Sequence, residues 1–139
     1  MTRDGKTIGE WYRAAESSEI RAYMLYGGYR HIAFLNGEAV EGRPHGCVIP
    51  DITRIINGRI EIIEVKCNNL VNWLGITKDF NYIRYQIERD IKHVPKNSLF
   101  RVVIDTREVL YDTDFLQEVR NEIKALCWDI YINVPVDFI

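Results

Sequence analysis

Asp51, Glu64 and Lys66 have the residue types and the spacing for phosphate chemistry at a metal ion. Two apolar runs, Cys47 to Ile56 and Arg59 to Cys67, are separated only by Asn57-Gly58. Asn-Gly between such runs signals a two-residue hairpin turn, because both turn positions need φ > 0. That turn makes Ile56 face Arg59, and counting back along both strands sets Asp51 opposite Glu64. Directly opposed Cβ atoms lie ~4.5–5.5 Å apart. Side chains alternate along a strand, so Ile60, Ile62, Glu64 and Lys66 share one face while Glu61, Ile63 and Val65 share the other. Facing carboxylates repel unless a cation lies between them. Oxygen ligands suit Mg²⁺ or Mn²⁺, and Lys66 alongside is placed to orient a water or to stabilise charge on a phosphate. Read without chemistry, the same residues are an exposed carboxylate–lysine group worth ~0–1 kcal/mol.

The elements that must position them follow from periodicity. A helix is predicted from Ile8 to Tyr26, opened by Thr7 and stopped by Gly27-Gly28. Its apolar stripe reads Ile8, Trp11, Tyr12, Ala15, Ala22, Tyr23 and Tyr26. A strand from Arg30 to Leu35 follows, then a loop from Gly42 to Gly46 and the hairpin. A second helix spans Lys78 to Val94, with Phe80, Ile83, Ile87, Ile91 and Val94 inward. Leu99 to Asp105 reads as a buried strand, Asp112 to Leu126 as a third helix, and Trp128 to Val134 as a last strand. The order α, β, β, β, α, β, α, β, with strand–helix–strand units after the hairpin, implies an α/β fold with a mixed sheet and helices packed on it.

The chain has 139 residues, 47% apolar and 27% charged, which fits one folded domain and argues against disorder. No apolar run approaches the ~18 residues of a membrane span, and the N-terminus shows no apolar stretch of a signal peptide. Cysteines at 47, 67 and 127 match no zinc or redox spacing and read as structural thiols. The net charge is −2, which argues against a generally basic nucleic-acid binder. Its distribution is uneven: residues 43–101 hold ten Lys/Arg against six Asp/Glu, and residues 102–139 hold three against eight. A basic middle suits phosphates; a solvated mixed surface is the plain alternative.

Pro50-Asp51, twelve residues, then Glu64-Val65-Lys66, after the apolar run IEII, resembles the signature of the PD-(D/E)xK nuclease superfamily. The αβββαβ core of that superfamily corresponds to residues 8–105, with the third helix and last strand added behind it. The resemblance implies Mg²⁺ or Mn²⁺ held by Asp51 and Glu64, with the Val65 carbonyl a further ligand, and Lys66 as the catalytic lysine of phosphodiester hydrolysis. Many members bring an acidic residue from the first helix to the metal. On the helical wheel Glu10 points away, Glu16 lies at the edge and Glu19 falls inside the stripe, so Glu19 is the candidate metal ligand and Glu16 the second. A pair with a nearby Arg is the alternative for Glu19. Gln86, on the second helix, resembles the glutamine that many relatives carry there. Arg43 and His45, on the loop leading to Asp51, are candidates for substrate phosphate; Arg54 and Arg59 near the turn are weaker ones. His93 reads as a surface histidine near a helix end.

Small size, an acidic tail and a lone catalytic domain are similar to the C-terminal nuclease toxin domains of contact-dependent growth inhibition and related polymorphic toxin systems. That resemblance implies a toxin secreted as part of a larger protein and acting in the target-cell cytoplasm; otherwise the chain is expected to be cytoplasmic. It implies a nucleic-acid substrate, tRNA favoured over DNA, and a cognate immunity protein. A DNA endonuclease of the repair or restriction type is the alternative, and a non-catalytic binding protein on a nuclease-like fold is the second.

Overall fold

The computed structural model describes residues 7–67, 78–107 and 112–139. In chain order they form α1 (Ile8–Tyr26), β1 (Tyr29–Arg30), β2 (Ala33–Leu35), β3 (Glu38–Val40), β4 (Ile52–Ile56), β5 (Arg59–Cys67), α2 (Lys78–His93), β6 (Leu99–Asp105), α3 (Thr113–Cys127) and β7 (Val136–Phe138). Thr7 caps α1 as predicted, its hydroxyl accepting from the Glu10 N–H at 3.2 Å, and Gly27 ends it with φ 72°. Asp112 caps α3 in the same way, accepting from the Phe115 N–H at 2.7 Å. These caps satisfy N–H groups that a helix start leaves without a partner.

The main sheet has five strands in the order β1-β4-β5-β6-β7, and β2 pairs with β3 apart from it. β1, β4 and β5 run antiparallel, while β5, β6 and β7 are parallel. The sheet is therefore mixed, as the sequence implies. Asn57 and Gly58 take φ 50° and 78°, and Ile56 pairs with Arg59 and Ile52 with Ile63, the predicted register. Each face is covered. Ala22 of α1 packs with Ile52, Ile63 and Val103. On the opposite face Ile83 and Ile87 of α2 and Val119 and Ile123 of α3 pack with Ile62, Val102 and Ile104. β5 is covered on both sides, as a central strand should be, and it carries Glu61, Glu64 and Lys66 into the interior with its apolar residues. The turn from α1 into β1 runs hard against β4: a Cβ at Gly28 would lie 2.5 Å from the Thr53 carbonyl oxygen, at φ 91°. Only glycine combines that conformation with that approach.

Five expectations are corrected. The predicted strand Arg30 to Leu35 is two strands in two sheets, because His31 turns at φ 59° between them. The first hairpin strand is shorter than the apolar run, since only Val48 of its early part makes a bridge, with Phe34. Tyr12 and Tyr23 of the α1 stripe are exposed; the inward face is Ser18, Ala22 and half-buried Tyr26. Small residues there let the helix lie close to the sheet. On α2 the inward position is Asp90, not Ile91, which is 38% exposed. Finally, Trp128 to Val134 is no strand. Ile130 and Tyr131 both donate to the Cys127 carbonyl, and Asn133 takes φ 55°, so the chain turns there. β7 begins only after Pro135, whose carbonyl accepts from Val102 at 2.9 Å. Proline stands at the start of this edge strand, where no ladder donor is needed.

Candidate active site

Beyond Ile63, β5 outruns its β4 neighbour. An N–H exposed there needs an acceptor, and the Asp51 carboxylate supplies one: its Oδ2 accepts from the Val65 N–H at 2.7 Å. Asp51 thus stands one residue before β4 and reaches across to β5 beside Glu64, while its own carbonyl accepts from the His31 N–H at 3.3 Å.

Glu64 and Lys66 project to the α2 face. They are 5% and 9% exposed, which is low for charged side chains. The Lys66 ammonium donates to Gln86 Oε1 on α2 and lies 5.1 Å from the centre of the Tyr82 ring. The structure therefore brings together Asp51, Glu64, Lys66 and Gln86, four of the residues singled out from sequence.

It also adds one. Asp90 is fully buried, at 0% exposure, one turn along α2 from Gln86. Among the described residues neither of its carboxylate oxygens has a donor unless a proton is shared with Glu64. Its neighbour is Glu64, and two ionised carboxylates only accept; the pair is satisfied when a proton or a cation sits between them. The electrostatics follow. Burial raises the Glu64 carboxyl well above the usual carboxylate range, helped by Asp90 and Asp51. Burial likewise raises Asp90. Lys66 is lowered by burial, against the opposing pull of Glu64, Asp51 and Asp90. A signal for Asp90 exists in the sequence: Phe80, Ile83, Ile87 and Val94 alternate steps of three and four, and position 90 completes the stripe. A carboxylate on an apolar stripe is costly without a partner.

Other candidates lie elsewhere. Glu19 is on α1, which covers the opposite sheet face, and its carboxylate pairs with Arg30 at 3.0 Å and with His31. Glu19→Gln is therefore expected to leave the metal requirement of any activity unchanged, as a titration of Mg²⁺ against activity would read, and to lower stability by about 1 kcal/mol. A weakened metal response would restore it as a ligand. Arg43 and His45 are exposed on the 41–46 loop, while Asp51 is bonded to the Val65 N–H and Lys66 to Gln86. Arg54 is turned inward onto Glu61 at 2.8 Å, and Arg59 donates to the Asn97 carbonyl, so neither is a loose phosphate contact. His93 accepts from the Asn36 N–H, tying the β2–β3 turn to α2. Cys127 is buried, and burial pushes its thiol up to about 11, as a structural cysteine requires.

Among the described residues, no group of three or more His, Cys, Asp and Glu side chains is arranged to hold a metal ion. Mg²⁺ needs fewer protein ligands, since it is bound through one or two carboxylates with water and phosphate oxygens. Asp51 and Glu64 are hard oxygen donors of that kind, and the unpartnered oxygens of Asp90 add negative charge beside them. The residues present fit a divalent cation.

The fold and these side chains define an α/β protein with a mixed five-stranded sheet and a buried acid–lysine cluster between β5 and α2. No family model, curated protein or solved structure matches the chain. Among the described residues no helix is long and apolar enough to cross a membrane.

Proposed function

We propose that this chain is a metal-dependent nuclease of the PD-(D/E)xK kind that hydrolyses phosphodiester bonds in RNA, with tRNA the favoured substrate. One observation carries the reading: Glu64 and Lys66 are buried side by side on the α2 face of β5, with the Asp51 carboxylate reaching across from the end of β4. Burying the Glu64 carboxyl and the Lys66 amine costs stability, and that cost is expected where chemistry needs it. Asp51 and Glu64 are the residues that would hold Mg²⁺ or Mn²⁺. Such an ion, when bound, polarises the attacked phosphate and eases deprotonation of a water. Gln86 and the Tyr82 ring hold the Lys66 amine in place. From there Lys66 meets the negative charge that grows on phosphate oxygens during attack.

The physiological setting in this proposal is a toxin domain, delivered within a larger protein to the cytoplasm of a target cell and neutralised by a cognate immunity protein. The short acidic stretch 102–139 supports a basic partner. The test is incubation with total RNA and with plasmid DNA, in Mg²⁺ and in EDTA, read on a gel. RNA loss that EDTA stops, and that Asp51→Ala abolishes while the circular dichroism spectrum is retained, is the expected result. Cleavage of plasmid alone moves the reading to a DNA endonuclease. Wild-type cleavage by Asp51→Ala removes the metal assignment.

A further inference from the structure

The outward flank of α2 carries Tyr82, Tyr85 and Arg89, three and four residues apart. Residues so spaced are neighbours on a helix surface. Both tyrosines are 55% exposed, and their rings stack with centroids 6.3 Å apart and planes 26° from parallel. A cation attends each ring: the Lys66 ammonium lies 5.1 Å from the Tyr82 centroid, and the Arg89 guanidinium 5.9 Å from that of Tyr85. The flank is thus a pair of aromatic faces with positive charge at both ends, and its inner end is the amine of the candidate active site.

Aromatic faces beside cations are the means by which proteins hold unpaired nucleotides: bases stack on the rings and phosphates meet the charges. A duplex keeps its bases stacked on one another and offers no free face. Folded RNA presents unpaired bases in its loops. We propose that Tyr82 and Tyr85 form a stacking platform for the unpaired bases of an RNA loop, with Arg89 meeting an adjoining phosphate. The inference rests on the nuclease reading and specifies how that substrate is recognised: by unpaired bases laid on α2, which leads the backbone to Lys66.

The test is fluorescence anisotropy in EDTA, where binding is read without cleavage. The probes are a labelled RNA hairpin with an unpaired loop, the same hairpin as DNA, and a loopless RNA duplex. The loop RNA is expected to bind at least about tenfold more tightly than the duplex. Tyr82→Ala with Tyr85→Ala should weaken loop binding at least about tenfold and leave duplex binding nearly unchanged. Tyr82→Phe with Tyr85→Phe should retain it, because stacking uses the ring and not the hydroxyl. Equal binding of loop and duplex, or undiminished loop binding by the alanine protein, overturns the platform. Equal binding of the DNA hairpin overturns the choice of RNA. The two readings fail separately. Loop binding through the tyrosines with no cleavage in Mg²⁺ removes the nuclease alone, whereas Mg²⁺-dependent cleavage by wild type, with loop binding undiminished by the alanine changes, removes the platform alone.

Discussion

Lys66→Ala is expected to lower the cleavage rate at saturating substrate by at least ~100-fold, with metal and RNA binding nearly intact. The size follows from where the amine sits. Lys66 is on the same strand face as Glu64, two residues along, nearly buried and held by Gln86. A positioned cation in a water-poor site acts mainly on charge that develops in the transition state, and a hundredfold loss corresponds to about 2.7 kcal/mol. Removing it also leaves Glu64, Asp51 and Asp90 without the positive charge that opposes their mutual repulsion. Thermal melting of the variant, with and without Mg²⁺, separates a folding defect from a rate defect. Single-turnover cleavage then reads the chemistry. Full activity in a folded Lys66→Ala protein would make the Glu64-Val65-Lys66 match accidental, and the nuclease proposal falls with it.

The second large effect is on stability. Asp90→Asn should raise the melting temperature of the metal-free protein by several degrees. Among the described residues the buried carboxylate has no donor except a proton shared with Glu64, and leaving such a group unsatisfied when both are ionised costs about 1–3 kcal/mol. An amide at the same position can donate to Glu64 and carries no charge. In a domain of this size each kcal/mol moves the midpoint by roughly 3–5 °C. For the two carboxylates the pH dependence has a definite sign, which Lys66, lowered by burial, opposes only above its own depressed pKa. Glu64 and Asp90 are both raised in the folded protein. Above the ordinary carboxylate pKa of about 4, the native state therefore binds more protons than the unfolded one, and stability falls as pH rises through the window up to the raised values. Metal-free wild type should accordingly melt higher near pH 5 than near pH 8. Mg²⁺ should reduce the difference, and Asp90→Asn should flatten it. A fall of several degrees on Asp90→Asn in metal-free buffer would mean that Asp90 is held by a favourable partner instead.

Local structure was legible wherever a short stretch decides its own geometry. The Asn57-Gly58 turn set the hairpin register and hence the neighbourhood of Asp51 and Glu64. Thr7 and Asp112 marked helix starts, because a cap is a contact over three residues. Alternation along β5 put Glu64 and Lys66 on one face, and helical spacing put Gln86 on a polar flank of α2. Composition and element order together implied a mixed α/β sheet.

What the sequence left open depended on which elements meet. No periodicity states which sheet face a helix covers, so spacing alone makes Glu19 a candidate ligand, whereas α1 lies on the face opposite Glu64, with Arg30 and His31 around the carboxylate. Hydropathy favours Ile91 over Asp90 as the inward position of α2. The packing of Ile83, Ile87 and Val94 fixes the rotation of α2, and that rotation turns position 90 toward Glu64. The position of the last strand is decided in the same way. Trp128 to Val134 has strand composition, but the strand forms where Val136–Phe138 can lie parallel to β6. Turns, caps and register are set by neighbours in the chain. Helix rotation, sheet face and edge pairing are set by burial of apolar surface across the whole fold, which local spacing does not encode.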